Sequence, residues 1–342
     1  MRTPLRRVLA AAAAAALVLT AAACGGDDED SAAGGGKPSK IVIGYQQIPN
    51  GDLVVKHNKW LEQAFGSDTT IEWKLFDSGG SVNDAIQAGS VDLGLVGSSP
   101  ASRGISSGIK YRVPWIFDVI GEAEALVVKG GVTDVKSLKG KTIATPFAST
   151  SHYSLLAALR KAGLDAKSVK VIDSEPDAIL AAWSRGDIDG AYVWNPVLAK
   201  LLADGGKTLV TSADLAKDGK TTYDLAVVTD EFAEKYPDAV KTWVAQQDKA
   251  VKQIKASPDE AAAAIAAELS ITPAEAKAQM DDLIFVDAAA QAGDEYLGKV
   301  LPDNLFATAE FNKEVGQITA VREQSAYSDA VDKSFAASAP KS

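Results

Sequence analysis

Lys141–Leu159, KTIATPFASTSHYSLLAAL, is the stretch that decides the fold. Lys141 to Thr145 alternates like a strand, and Pro146 closes it. The loop Pro146-Phe147-Ala148-Ser149-Thr150-Ser151 then feeds a helix over His152 to Ala162. The same design stands twice upstream. Asp77-Ser78-Gly79-Gly80-Ser81 joins a strand over Thr70 to Leu75 to a helix over Val82 to Ala88, and Gly97-Ser98-Ser99-Pro100 follows a strand over Val91 to Val96 and opens another helix. Strand and helix in repeated alternation predict an α/β fold with a largely parallel sheet.

The rhythm continues outward in both directions. Ile41 to Tyr45 reads as a strand, and Leu53 to Phe65 has helical spacing. Strands are expected at Glu124 to Lys129, Val169 to Ile172, Ile188 to Val193 and Leu225 to Val228, with a helix over Pro176 to Arg185 and another opened by Pro196. From Asp230 onward the pattern is nearly all helix, including Pro237 to Ala256 and Glu310 to Glu323, with Ser334 to Ser342 expected to fray. Two α/β units and a helical tail predict two lobes with a cleft at the carboxyl ends of their strands. The expected division is 41–126 for the first lobe, 127–223 for the second, and 224–342 for completion of the first lobe and the C-terminal helices.

Composition narrows the function. The chain has 342 residues, 35 basic and 45 acidic side chains, two His and one Cys. A net charge of −10 argues against nucleic acid as a partner, since phosphate affinity rests on Lys and Arg. A single Cys rules out a disulfide framework and a Cys-rich zinc site. No metal or other cofactor is expected. At the N-terminus, Arg2, Arg6 and Arg7 precede an apolar run from Val8 to Thr20, and Ala21-Ala22-Ala23 lead to Cys24. Residues 1–23 read as a signal peptide, and Cys24 sits where a lipid anchor would be attached, although Ala21 stands where a Leu is usual. Residues 24–40, rich in Gly and acids, read as a flexible tether. The expected location is therefore the extracytoplasmic face of a membrane, periplasmic or cell-surface, for a monomeric body on a leash.

Chemistry concentrates in the three loops. Each offers hydroxyls and backbone N–H groups at a helix N-terminus, which carries about half a positive charge and attracts anions. Ser78, Ser98, Ser99, Ser149, Thr150 and Ser151 are the candidate donors, and none of the loops contains Lys or Arg. One such loop is ordinary helix capping; three at strand ends predict a small anion site. Glu122 or Glu124, and Asp224, at the starts of strands that would cross between lobes, are candidates for a ligand's positive end, with Tyr45, His152, Tyr153 and Trp194 as aromatic neighbours. Gly140-Lys141-Thr142 enters a strand rather than a helix, so it is no phosphate loop. Neither a Gly-x-Ser-x-Gly elbow nor a nucleophile–base pair is present, so the residues predict a binder and not an enzyme.

Phe76–Ser81, Gly97–Pro100, Glu124–Val128, Thr150–Leu159 and the run Trp183–Pro196 (WSRGDIDGAYVWNP) carry a resemblance. From about residue 41 to 230 the sequence resembles the taurine-binding proteins of bacterial ABC importers, within the broader aliphatic-sulfonate and nitrate binding family. The resemblance implies a two-lobed periplasmic-binding-protein type II fold with two crossover strands, closing around ligand by hinge motion. It further implies taurine as ligand, with its sulfonate on the serine-rich helix starts and its ammonium near Glu124 and Asp224, and an ABC permease with its ATPase subunits as partners. The loop that begins at Gln46 contacts ligand in that family. Here Gln46-Gln47-Ile48-Pro49-Asn50-Gly51-Asp52 departs from the family's Thr-Ser-Ala-Glu-Pro run, which leaves another small sulfonate or a zwitterionic amine open as ligand. The rivals are a related pyrimidine-synthesis enzyme, whose Cys-rich motif is missing, and a sensory ligand-binding module, whose output domain is missing.

Overall fold

The computed structural model describes residues 36–340; the expected signal peptide, Cys24 and most of the tether lie outside the described residues. Among the described residues eleven strands form two sheets, six in the first and five in the second, with helices packed on both. In chain order they are β1 (Lys40–Tyr45), β2 (Thr70–Leu75), β3 (Leu93–Gly97), β4 (Tyr111–Ile120), β5 (Glu124–Val128), β6 (Thr142–Thr145), β7 (Lys170–Asp173), β8 (Gly190–Trp194), β9 (Lys207–Thr211), β10 (Thr222–Thr229) and β11 (Leu283–Ile284). The first sheet runs β11-β4-β10-β3-β1-β2 and the second β7-β6-β8-β5-β9.

Neither sheet is simply parallel. β1, β2 and β3 are parallel to one another, but β10 lies antiparallel between β3 and β4. In the second sheet β6, β7 and β8 are parallel, and β5 lies antiparallel to β8 and β9. The chain passes from the first sheet to the second between Ile120 and Glu124 and returns between Thr211 and Thr222. It therefore enters β5 and β10 from the edge where the parallel strands end, and each must run the opposite way. The expected boundaries at 126/127 and 223/224 fall inside β5 and β10. Each of these strands belongs whole to one sheet, because its ladder hydrogen bonds satisfy backbone groups that a mid-strand crossing would strand.

The helix expected over Leu53–Phe65 is two helices, Gly51–His57 and Trp60–Phe65, broken where Lys59 adopts a positive φ of 54°. The expected helix at Glu310–Glu323 begins earlier and ends sooner, at Val300–Glu314. It runs from one core to the other: Leu301, Leu305 and Ala309 pack with the first sheet, while Phe311 joins the core of the second and meets Tyr153 edge to face at 5.0 Å. The C-terminal segment is docked rather than frayed, with Ser334–Ala337 forming a short helix whose Phe335 is 5% exposed. Among the described residues no helix is long and apolar enough to cross a membrane.

β4 was not anticipated. Its sequence YRVPWIFDVI has Pro114 in its middle, which reads against a strand. The sheet accommodates Pro114 where the β4–β10 register shifts, between Ala226 and Val228. Outside β11, the side-chain amide of Gln291 stands in for a neighbouring strand by donating to Ile116 O and accepting from Ile116 N. Val113 N donates to Ala330 O on the same edge. Because the tail completes this edge, Phe335→Ala is expected to lower unfolding free energy by about 3 kcal/mol. Chemical denaturation measures it, and an unchanged midpoint would show that the tail is not part of the core.

Candidate functional site

Strand direction sets the site. The carboxyl ends of β1, β2 and β3 and the start of β10 lie along one edge of the first sheet, where Asp224 pairs with Gly97. The ends of β6, β7 and β8 and the start of β5 lie along one edge of the second, where Glu124 pairs with Trp194. Residues of both edges line one narrow cleft. Its wall includes Gln46, Gly79, Gly97, Pro100, Glu124, Ser149, Thr150, Trp194, Asn195 and Asp224, with Ile48, Ile120, Ala123 and Leu283 as apolar surface.

Three helix starts converge here: Gly79–Gln87 and Ser98–Ser107 from the first lobe and Thr150–Lys161 from the second. The first two have no side-chain cap, so their leading N–H groups are left for other acceptors. In the third, Ser149 Oγ accepts from His152 N at 3.1 Å. The lobes touch at this point. A Cβ built on Gly97 would lie 2.5 Å from Thr150 Cγ2 of the opposite lobe, although the Gly97 backbone (φ −69°, ψ 161°) suits any residue. Ser78 Oγ also donates across the gap to Glu175 Oε1 at 3.2 Å.

Glu124 is 0% exposed and its two oxygens are fully engaged. Oε2 accepts from Thr150 Oγ1 (2.6 Å) and Ser151 Oγ (2.8 Å), and Oε1 from Ser212 Oγ (2.6 Å) and Ser154 Oγ (3.3 Å). Burial still raises its pKa against these four hydroxyls. Asp224, 5% exposed, has no such set of donors; burial, then the charges of Asp118 and Glu124, push its carboxyl well above the usual range. The acids outweigh the bases, since among the described residues no Lys, Arg or His lines the cleft.

Of the residues singled out in the sequence, Gln46, Glu124, Ser149, Thr150, Trp194 and Asp224 come together on the cleft wall. The others are not on it. Tyr45 packs edge to face on Trp73 at 6.0 Å, with Lys56 over its ring. Tyr153 is a core residue, and His152 stacks on Phe147 at 4.3 Å, its pKa lowered to about 4 by burial and then by Arg103. Ser98 Oγ accepts from Tyr223 N, Ser99 Oγ from Asn312 Nδ2, and Ser78 and Ser151 donate to Glu175 and Glu124 as described. A serine hydroxyl has one proton to give, and local acceptors take those of Thr150 and Ser151; what remains for an anion is chiefly backbone N–H. Gly79 and Gly97 belong to the loops singled out in the sequence, whereas Asn195, and Asp118 behind Asp224, were not singled out there. Asp118 had a visible signal, as a lone acid in the apolar run VPWIFDVI.

Comparison with known proteins follows this geometry. A family model described as NMT1-like matches residues 34–271. The taurine-binding periplasmic protein of Escherichia coli (strain K12) is 43% identical over 193 residues, covering 56% of this chain and 60% of that protein. A Bacillus subtilis (strain 168) protein named for aliphatic-sulfonate binding is 33% identical over 229 residues, covering 65% of this chain and 68% of its own. The chain thus spans about 60% of the length of the first of these relatives. Among solved structures, the alkanesulfonate-binding protein SsuA from Xanthomonas axonopodis pv. citri bound to MOPS has a TM-score of 0.74 at 22% identity, over 87% of this chain and 99% of that one. The fold is that of the periplasmic binding proteins.

Gly97→Ala is expected to wedge the lobes apart at Thr150 while leaving each lobe folded. Small-angle scattering should then report a larger radius of gyration with an unchanged far-ultraviolet circular dichroism spectrum; an unchanged radius would mean that Gly97 does not limit closure.

Proposed function

The chain belongs to the NMT1-like family, and from that premise we propose that it is the extracytoplasmic solute receptor of an ABC importer, binding taurine or a close amino-sulfonate in the interlobe cleft and delivering it to the permease. One observation carries the reading: a buried, donor-poor carboxylate, Asp224, stands on the same cleft wall as three convergent helix N-termini. The helix starts suit a sulfonate, whose charge is spread over oxygens that accept from backbone N–H groups. Asp224 suits an ammonium, and the Trp194 ring on the wall adds a face for the cation. A plain anion gains the helix starts but meets the unfavourable charge of Asp224, so the arrangement favours a zwitterion over an alkanesulfonate. The name of the Escherichia coli relative points to taurine, and that of the Bacillus subtilis relative to aliphatic sulfonates, which share only the sulfonate end.

In this reading the chain is a carrier and not an enzyme, works as a monomer, and is held outside the membrane by lipid on Cys24. Ligand enters the open cleft, the lobes swing together at Gly97 and Thr150, and the closed form docks on the permease.

Calorimetric titration tests the ligand. Taurine is expected to bind at micromolar affinity or better, about −8 kcal/mol, with ethanesulfonate much weaker. Silence with taurine and heat with ethanesulfonate or glycine betaine would keep a receptor and discard the amino-sulfonate. Asp224→Ala should weaken taurine by roughly 2–5 kcal/mol and ethanesulfonate far less. Equal losses for both would remove the ammonium from Asp224.

A further inference from the structure

Asp118 on β4 and Asp224 on β10 are directly opposite partners in an antiparallel ladder, an arrangement in which like charges destabilise a sheet. Asp118 is 0% exposed, and as the residue directly opposite it projects from the same face of the sheet as Asp224. Its Oδ2 accepts from Asn50 Nδ2 at 3.0 Å, while its buried Oδ1 has no donor among the described residues.

The surroundings supply no counter-charge. Glu124 faces both acids from β5, and the side chain that reaches Asp118 from the loop after β1 is the neutral Asn50. On the packed elements, Asp52 of Gly51–His57 is bonded to Gln247 while Lys56 of that helix pairs with Glu268, and Asp282 before β11 is bonded to Asn195. Asp248 on the helix Pro237–Ala256 is paired with Lys252, and Arg112 at the far end of β4 is paired with Asp230 and Glu234. Two adjacent carboxylates without a cation cannot both stay ionised in such a place.

We propose that Asp118 is a second residue of the cleft's cation end: in the empty cleft Asp118 and Asp224 hold one proton between them, and a ligand's ammonium displaces it to solvent. The shared proton accounts for the orphaned Oδ1, because a carboxylic O–H makes an oxygen-to-oxygen hydrogen bond between the two groups. When an ammonium arrives, that O–H bond breaks and the proton passes to buffer. The pair goes from one negative charge to two, and the ligand's single positive charge restores the local balance. Burial supports the empty state, pushing Asp118 up to about 7 and Asp224 well above the usual carboxylate range. The displacement step rests on the zwitterion reading; the shared proton does not.

The sign of the pH effect follows. Protons compete with the ammonium, so acidification through the pair's titration weakens binding by up to about tenfold per pH unit. Two measurements on the full chain test the proposal. Infrared spectra of the ligand-free protein at neutral pH should contain a carboxylic-acid C=O stretch that weakens in Asp118→Asn and in Asp118→Ser. Titration with taurine in buffers of different ionisation enthalpy should show about one proton released per ligand in the parent chain and close to none in either variant. Thermal melts verify that the variants are folded; the isosteric Asn can still accept from Asn50. Identical infrared spectra for parent and variants, or proton release unaffected by both substitutions, would overturn the proposal. If taurine gives no heat at all, the proposed ligand fails while the infrared comparison still decides the shared proton.

Discussion

The seam between the two lobes depends on one carboxylate taken wholly out of water. An unpaired buried charge is costly, and Glu124 is tolerated because four hydroxyls donate to it. Thr150, Ser151 and Ser154 come from the helix that opens at the cleft, and Ser212 from the start of the return crossing; Tyr192 OH lies 3.2 Å from Ser212 Oγ. The outward crossing, the helix start and the return crossing are thereby fixed to one another. The serines that looked like ligand donors serve first as scaffolding.

What remains polar at the cleft is unbalanced by design of the strands. Antiparallel β5 and β10 each begin with an acid at the edge where parallel strands end and helices start. Acidic side chains and the positive ends of helices are therefore neighbours across single register steps. A charge-separated small molecule satisfies both at once, whereas an anion or a cation alone leaves one set unmet.

The α/β class and the three strand–loop–helix units were legible because periodicity and turn chemistry at Asp77–Ser81, Gly97–Pro100 and Ala148–Ser151 agree with each other. Asp224 and Trp194 were legible for a different reason: in this topology the start of an antiparallel crossover strand and the end of a parallel one both lie at the cleft edge. β4 was hidden by Pro114, whose cost is absorbed by a register shift and by edge partners more than 100 residues away, as with Gln291 and Ile116. Asp118 was hidden with it. Hydroxyl direction was also invisible: nothing in Ser-Thr-Ser reveals that two of those groups turn to a glutamate 26 and 27 residues earlier. Side-chain type is local information, but the acceptor a hydroxyl chooses is tertiary.

The helix Val300–Glu314 has a mechanical consequence. Two strands of chain alone would leave the lobes free to bend, twist and slide. A stiff rod seated in the first core through Leu301 and Leu305 and in the second through Phe311 adds a third attachment away from those two. Any motion of one lobe against the other must therefore keep, slide or unseat the Tyr153–Phe311 contact as well as flex the two connecting strands of chain.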